Sequence, residues 1–418
     1  MDNIAHIFCN PEEEFLTIPP MRAFAKSNHV NVDTDSAIKE NTKAKLLEAV
    51  FAFGNENENN SELVAEWIDD VAREGIKEIV LHKCSFKPNI EMLFSDEDSL
   101  KKYLDTFVDQ ESTGHLINSK YDEKVRLIKY RILNMRGKRV VTLYCCSMAT
   151  YIDKRKLQAR DIEFPVIFDF FIDGGWYIVR YKPRSNLYDY NPETQSIEGK
   201  MQYPMSLDKP VRTAEARVKK IFEVEEDKSP EQTYFLKKIF YRLLKSFTDT
   251  PPEIQQIINE NNAAVEDIKQ LIGNICAIPG SQSANLDSDI RNLLEKYISI
   301  NWPDKNIFTR NREAYPIKLC ATDAEESHVD QTAGGDFGPL QSKEVFFDNK
   351  RMIENDQMCD GLTLKWKRRN RKYYSSETFT VRISEKKGKC YLSFKEYTAE
   401  EDIQNVLFSI IDAQGCIS

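Results

Sequence analysis

The strongest constraint on the fold comes from the stretch IEFPVIFDFFID, which covers residues 162–173. Side chains alternate between the two faces of a strand, and here Phe164, Phe168, Ile167 and Phe171 make both faces apolar. Such a strand belongs in the middle of a sheet that is covered on both sides. Gly174-Gly175 and the strand-like WYIVRYKP follow it, which predicts a β-hairpin.

The surrounding pattern extends this sheet and adds helices. A second hairpin is predicted at Arg136-Gly137, between EKVRLIKYRILNM and KRVVTLYCCSM. Apolar stripes predict helices over 42–53, 61–75 and 96–108, and a strand is predicted over 76–86. Residues 1–40 are predicted to be irregular. These features indicate an α/β domain with two hairpins over residues 1–210.

Two further parts follow from changes in the pattern. From 211 to 300 four successive segments carry apolar stripes with a period of 3.6, which predicts a helical domain. From 301 to 418 we expect a C-terminal α/β module: a polar loop over 321–342, a helix near 343–357, three short strands, and a last helix near 399–412. The predicted fold class is therefore α+β and multidomain, with a mixed or antiparallel N-terminal sheet, a helical middle and a C-terminal α-β-β-β-α module.

Composition and motifs restrict the class of protein. The chain has 67 acidic against 58 basic residues and a net charge of −9. No apolar stretch reaches the roughly 18 to 20 residues that cross a bilayer, and the N-terminus lacks the features of a secretory signal. The nine cysteines are scattered and form no CxxC pair, which is typical of a reducing compartment. We therefore expect a cytoplasmic protein with no membrane partner.

One short segment departs from the acidic balance. Residues 365–372, KWKRRNRK, contain six basic residues in eight and no acidic one. Alternation along the predicted strands puts Leu362, Leu364 and Trp366 on a face that the last helix can cover, and the cations on the opposite face. An open cationic face can bind phosphates on an acidic protein, because counterion release depends on the charges in contact. An ordinary solvated sheet face is the alternative.

A second cationic ribbon lies in the first domain, where Arg180, Lys182 and Arg184 alternate beside tyrosines. A solvated strand end is the alternative there. Tyrosines interleaved with arginines add stacking surfaces for the bases of single strands. The predicted nucleic-acid-binding residues are Lys365, Lys367, Arg368, Arg369, Arg371, Lys372, Tyr373, Arg382, Tyr391, Lys395, Arg180, Lys182 and Arg184.

Catalytic patterns are weak. Asp161-x-Glu163 resembles the first metal-binding motif of DEDD exonucleases, in which carboxylates hold a divalent cation for phosphoryl hydrolysis. The sequence shows no second motif of that family, no P-loop, no G-x-S-x-G and no H-E-x-x-H. We therefore expect no catalytic residue, no metal and no cofactor. Enzymatic activity stays open, with a non-enzymatic protein as the leading expectation.

The predicted C-terminal module resembles a double-stranded-RNA-binding domain in topology only. Members of that family carry lysines at the start of the last helix, which bind phosphates. The corresponding residues here are Glu400, Glu401 and Asp402. Membership of the family is therefore not inferred.

The leading functional hypothesis is a non-enzymatic cytoplasmic component of a larger assembly, for example a microbial antiviral-defence or mobile-element system, that binds DNA or RNA mainly through phosphates. Two alternatives remain. One is a protein-interaction adaptor that docks an acidic partner and uses its helical middle as the oligomer or complex surface. The other is a metal-dependent nuclease around Asp161 and Glu163. Protein partners or a homo-oligomer are expected in addition to nucleic acid.

Overall fold

The computed structural model describes residues 7–9, 15–32, 42–109, 114–119, 124–153, 158–171, 174–184, 187–188, 208–227, 229–277, 283–322, 328–335 and 338–414. Its fold class is α+β, and its paired strands run antiparallel. No helix in these ranges is long and apolar enough to cross a membrane.

The chain forms two compact units. Unit 1 contains Met1–Lys228, Arg369–Ser376 and Tyr391–Ile403, and unit 2 contains Ser229–Arg368, Glu377–Cys390 and Gln404–Ser418. The backbone therefore passes between the units several times near its C-terminus. The division into three domains at residues 210 and 300 stays a prediction.

The helices are α1 (Ile18–Ser27), α2 (Thr42–Asn55), α3 (Glu58–Val71), α4 (Pro88–Ser95), α5 (Glu97–Asp105), α6 (Asp208–Phe222), α7 (Pro230–Thr248), α8 (Pro252–Glu260), α9 (Asn262–Cys276), α10 (Ser283–Asn301), α11 (Glu344–Asp356) and α12 (Glu400–Gln414). The strands are β1 (Lys77–Ser85), β2 (Arg126–Met135), β3 (Lys138–Asp153), β4 (Gln158–Phe171), β5 (Trp176–Tyr181), β6 (Leu187–Tyr188), β7 (Glu225–Glu226), β8 (Ala314–Thr322), β9 (His328–Thr332), β10 (Gly361–Lys367), β11 (Thr378–Lys386) and β12 (Lys389–Phe394).

The helices and strands predicted from apolar periodicity are confirmed, with shifted ends. The helix predicted over 61–75 begins earlier, at Glu58, where the Asn57 side chain caps it by accepting the Asn60 N–H. Residues 1–40 are not wholly irregular, since they contain α1, whose first turn carries two prolines. The polar loop predicted over 321–342 is also corrected, because β8 ends and β9 lies within that range.

Both predicted hairpins of unit 1 are confirmed. Met135 pairs with Lys138, so Arg136-Gly137 is a two-residue turn, and both residues have positive φ values of 50° and 79°. Phe171 pairs with Trp176 across the second turn. The strand order within unit 1 is β2-β3-β4-β5-β1-β12, so β4 is an interior strand as predicted. The described side chains of β4 are buried on both faces.

Helices cover both faces of the unit 1 sheet. The register places Asp169 and Ile178 on one face, and Phe170 and Tyr177 on the other. Just after α3, Arg73 contacts Asp169 on the first face. On the second face, α6 contributes Glu215, which accepts the Tyr177 hydroxyl at 2.6 Å. The strand that the sequence marks as apolar on both faces therefore lies between two helical layers.

Unit 2 combines helices with the strand order β11-β10-β8-β9. The predicted alternation of β10 is confirmed, because Leu362, Leu364 and Trp366 are buried. Helix α7 packs on this apolar face, and its Phe247 ring meets Trp366 edge-on at 5.3 Å between centroids. A smaller helical core is formed by Ile254, Ile258, Ile307 and Phe308.

A network of buried charges connects four elements of unit 1. The Asp169 carboxylate lies 2.6 Å from Arg180 and 3.3 Å from Arg73, and both arginines also bind Glu400 at the start of α12. Thr142 donates a hydrogen bond of 2.6 Å to Asp169. Burial alone would raise the pKa of Asp169, but Arg180, Arg73 and Thr142 outweigh it, so the pKa lies below its usual value. Asp169 is therefore a buried carboxylate that needs its partners.

We expect Asp169→Ala to lower the free energy of unfolding by about 3–5 kcal/mol, because it leaves two buried arginines without their shared carboxylate. Denaturant unfolding at pH 7 measures this loss. Arg351→Ala is the matched control, because it removes an exposed ion pair with Asp289 and should cost at most about 1 kcal/mol. Equal losses in the two variants would contradict a structural role of the network.

Candidate functional site

Unit 1 contains a cavity of about 420 Å³ whose walls come from distant parts of the chain. Phe15 contributes from the segment before α1, Lys77 from the start of β1, and Lys182 from the residues after β5. Tyr374, Tyr397 and the acidic Glu74 are also among the lining residues of the cavity. We refer to it as the Phe15 cavity. Its volume is within the range of small-ligand pockets.

Three basic side chains gather around the ring of Phe15. The Lys182 Nζ lies 5.2 Å from the ring centroid, the Arg184 Cζ 5.3 Å and the Lys77 Nζ 5.8 Å. Each cation is attracted by the electron-rich face of the ring, although the cations repel one another. An anion in the cavity would relieve that repulsion, so this wall favours a negatively charged ligand.

Besides basic side chains, the cavity has aromatic side chains in its lining, which belong to tyrosines. The Tyr397 ring meets Tyr373 edge-on at 5.3 Å and Tyr374 at 6.1 Å between centroids. Its hydroxyl donates a 3.0 Å hydrogen bond to Glu74. Burial raises the pKa of Tyr397, so the phenol stays protonated and can act as a donor. The cavity therefore offers aromatic surfaces as well as cations.

The turn between α3 and β1 fixes Tyr397 in place. Gly75 has φ of +91°, and a Cβ there would lie 3.2 Å from the Tyr397 ring. The Gly75 N–H donates to the Thr398 carbonyl at 2.8 Å, and the Glu400 N–H donates to Glu74 at 3.2 Å. Glycine is required here both by the backbone conformation and by the close approach of the ring.

Lys77 is the most unusual residue of the cavity. Its side chain is on the face of β1 that carries Ile79 and Leu81, and the residue is only 3% exposed. Within the described residues no carboxylate lies at ion-pair distance from its Nζ. Burial, with Lys182 and Arg180 nearby, lowers the pKa of Lys77 from 10.5 to about 7, which Glu74 and Glu400 only partly oppose.

Exposed cations lie in the segment that supplies Tyr374. Residues 369–376 belong to unit 1, and Arg369, Arg371 and Lys372 are exposed within them. The Arg369 N–H donates to the Asp402 carboxylate at 2.7 Å, which anchors the segment. The Lys372 Nζ lies 5.4 Å from the Tyr373 ring centroid. Residues 369–372 of the basic run therefore lie in the same segment of unit 1 as Tyr374, which lines the Phe15 cavity.

The predicted binding residues are divided between the two units. Unit 1 holds Arg369, Arg371, Lys372, Tyr373, Tyr391, Lys395, Arg180, Lys182 and Arg184, and unit 2 holds Lys365, Lys367, Arg368 and Arg382. Their role in binding nucleic acid stays a prediction. The exposed position expected for Arg180 is wrong, because it is 1% exposed and bound to Asp169 and Glu400. Arg368 and Lys182 are also buried, each beside a phenylalanine ring.

The face of β10 and β11 that was predicted to carry cations lies in unit 2. Cross-strand pairing places Arg382 opposite Thr363 and Lys365 opposite Thr380. Arg382 is exposed, whereas Lys365 and Lys367 are half-buried. The Lys367 ammonium donates to the Arg310 carbonyl at 2.8 Å. Part of the positive charge of this face is therefore used in contacts within unit 2.

Sequence reasoning missed Phe15, Lys77 and Tyr397. One signal for Lys77 was available, because a lysine shares the face of a predicted strand with Ile79 and Leu81. A charged residue in a buried stripe is costly unless it has a function or a partner. Phe15 and Tyr397 carry no comparable signal, since their meeting depends on long-range packing.

The exonuclease-like pair has no open metal site in the described residues. Glu163 is buried, and the side chain of Asp161 lies outside the part of the chain that is described. Another group of residues that could bind a metal ion consists of His82, Glu215 and Glu226. Their candidate ligand atoms lie within 4.8 Å of one another. Lys219 binds both of these carboxylates, at 3.1 and 2.6 Å. The group therefore already holds one ammonium beside its two carboxylates.

Comparison with known proteins identifies no relative: no family model, curated protein or solved structure matches this sequence. The site therefore has to be interpreted from its own chemistry.

We expect Lys77→Met to raise the free energy of unfolding by about 1–4 kcal/mol at pH 7, because the unfolded chain protonates this lysine more readily than the folded chain does. The gain should shrink as the pH rises from 7 towards 10.5, where the unfolded lysine also loses its proton. Denaturant unfolding of both proteins at pH 7 and 9.5 measures it. A less stable variant at pH 7 would show that the Lys77 amine contributes to folding.

Proposed function

We propose that this protein binds single-stranded nucleic acid and holds one nucleotide in the Phe15 cavity. The observation that carries the proposal is the gathering of Lys77, Lys182 and Arg184 around Phe15 beside two lining tyrosines. Cations supply the phosphate contacts that dominate nucleic-acid affinity, and aromatic rings supply stacking for bases. The two features occur here in one place.

The chemistry favours a single strand over a duplex. A base can stack on the half-buried Tyr374 only when its own face is free of neighbouring bases. A cavity of about 420 Å³ has room for a nucleotide and not for a double helix. Binding through phosphates and base faces would be weakly dependent on sequence.

The exposed cations of residues 369–372 would contact the phosphates next to the bound nucleotide. Arg369 is held through its backbone by Asp402, so its side chain is presented from an ordered segment. The net charge of −9 does not oppose this role, because the local potential at the contact determines the encounter. A non-enzymatic cytoplasmic protein remains the expectation, and the described cysteines, which form no disulfide, support a reducing compartment.

We expect Lys182→Ala/Arg184→Ala to weaken binding to a single-stranded oligonucleotide by tenfold or more. Loss of two phosphate contacts should also reduce the slope of log affinity against log salt by about 1.4. Fluorescence anisotropy at several salt concentrations measures both effects. Lys101→Ala/Lys102→Ala is the matched control, because it removes the same charge from an exposed part of α5 in unit 1.

A complementary variant separates stacking from charge. Tyr374→Ala should cost about 1–3 kcal/mol of binding free energy and leave the salt slope unchanged. Absence of binding to DNA and RNA probes at low salt would overturn the proposal. Equal losses in the control and cavity variants would show that binding depends on overall charge and not on the Phe15 cavity.

A second candidate function is supported by an apolar stripe in unit 2. On α9, Ile268, Leu271 and Ile275 are exposed, the last two by 60% and 74%. They follow a helical spacing and lie on one face of the helix. Leu293 and Tyr297 add exposed apolar surface on the neighbouring α10. Exposed apolar patches of this kind mark protein contacts, so we propose that α9 pairs with α9 of a second copy of this chain.

We expect Leu271→Asp to shift the protein from dimer to monomer, because two carboxylates would meet at the centre of a symmetric contact. Light scattering coupled to size-exclusion chromatography measures the mass. Glu266→Asp, a conservative change on the same helix, should leave the dimer intact. A wild-type protein that is monomeric at all accessible concentrations would exclude self-association, and the adaptor role would then need a different protein partner.

A further inference from the structure

We propose that Lys77 is a nucleophilic amine that forms an imine with a phosphate-bearing aldehyde in the Phe15 cavity. In single-stranded DNA the group of this kind is the ring-opened sugar of an abasic site. The assignment of this aldehyde to nucleic acid rests on the function proposed above. The reactivity of Lys77 follows from the residues around it and does not depend on that function.

The geometry gives Lys77 what a reactive lysine needs. Lys77 lines the cavity, and within the described residues no carboxylate lies at ion-pair distance from its Nζ. Burial, Lys182 and Arg180 disfavour a positive charge there, and Glu74 and Glu400 oppose this only in part. An ordinary lysine is unprotonated in fewer than about one molecule in a thousand at pH 7, because its pKa is near 10.4. For Lys77, with a pKa of about 7, the neutral form is roughly half of the population.

The proposed step is balanced without an oxidant or a reductant. The Nζ lone pair attacks the aldehyde carbon and forms a carbon–nitrogen bond, which gives a carbinolamine. The former carbonyl oxygen then leaves as water, together with the two protons of the amine. A C=N double bond replaces the C=O bond, and Lys77 stays covalently joined to the ligand.

The rest of the cavity favours an aldehyde that carries phosphate. Lys182 and Arg184 lie on the same Phe15 ring as Lys77, so an anion held by them would place its neighbouring atoms near the amine. An abasic sugar has a phosphate on each side and lacks the base, so it needs less room than a complete nucleotide. A free phosphorylated aldehyde presents the same chemistry and is the other source.

Borohydride trapping tests the proposal directly. The full-length protein is incubated at pH 7 with three labelled single strands of one sequence: one with an abasic site, one with a tetrahydrofuran analogue that has no aldehyde, and one intact. Reduction should give a covalent protein–DNA band only with the abasic strand. Peptide mapping should place the adduct on Lys77, and Lys77→Arg should reduce the band at least tenfold.

The controls distinguish a specific amine from general lysine reactivity. Lys83 is on the same strand and face, and its ammonium donates to the Gly174 carbonyl. Lys83→Arg should therefore retain the band. Lys77→Met, which we expect to be more stable than the wild type, shows whether lost trapping arises from the missing amine or from misfolding. Adducts spread over surface lysines, or unchanged trapping in Lys77→Arg, would overturn the proposal.

A second probe separates this proposal from the nucleic-acid function. Pyridoxal 5′-phosphate is a small aldehyde with a phosphate, and it should label Lys77 before other lysines. Labelling of Lys77 without binding of any oligonucleotide would support the reactive amine, assign it to a free phosphorylated aldehyde, and overturn the nucleic-acid function. Binding of the intact strand without trapping of either aldehyde would overturn the reactive amine and leave the nucleic-acid function in place.

Discussion

The buried carboxylate of Asp169 is the interaction on which the rest of unit 1 depends. A charge in the interior loses its hydration, and only close partners of opposite sign can compensate for that loss. Arg73 and Arg180 supply those partners, and Glu400 binds the same two arginines. The end of α3, two interior strands and the first turn of α12 are thereby held at fixed positions.

The Phe15 cavity lies next to this network along the chain. Glu74 directly follows Arg73, and it accepts the backbone N–H of Glu400 and the hydroxyl of Tyr397. Displacement of the arginines would therefore move the tyrosine wall of the cavity as well. The network therefore fixes the position of the tyrosine wall although Arg180 does not line the cavity, and this gives the buried Arg180 a structural role.

The fold could be predicted from the sequence where local patterns decide the structure. Alternation and two glycine-containing turns predicted the hairpins around β4, and the 3.6-residue period predicted most helices. Helix α1 was missed because its two prolines are typical of loops, although both lie in the first turn, where proline is tolerated. Strand β9 was missed because its exposed residues alternate little and its pairing with β8 is the main evidence for it.

The candidate site could be predicted only in part, for a related reason. The basic run at 365–372 marks a local excess of charge, but sequence alone does not show that Tyr374 lies near Phe15. Arg180 and Lys182 have similar charge and alternation in the sequence, yet one binds Asp169 and the other borders the cavity. The difference is that an aspartate of the neighbouring strand lies beside Arg180. Which residues of two strands lie beside each other depends on the strand register, and the register is a property of the folded chain.

Arginine and lysine therefore serve different purposes in unit 1. Arginine keeps its charge under all ordinary conditions and forms several hydrogen bonds in a plane, which suits the permanent network around Asp169. Lysine loses its proton when it is buried without a partner, and Lys77 occupies such a position. A buried arginine at residue 77 would retain its charge and its cost, without a lone pair for chemistry. Lys77 combines the unfavourable burial of an amine with a position in the lining of the Phe15 cavity, and for this reason we propose that the cavity, and not the network, carries the function.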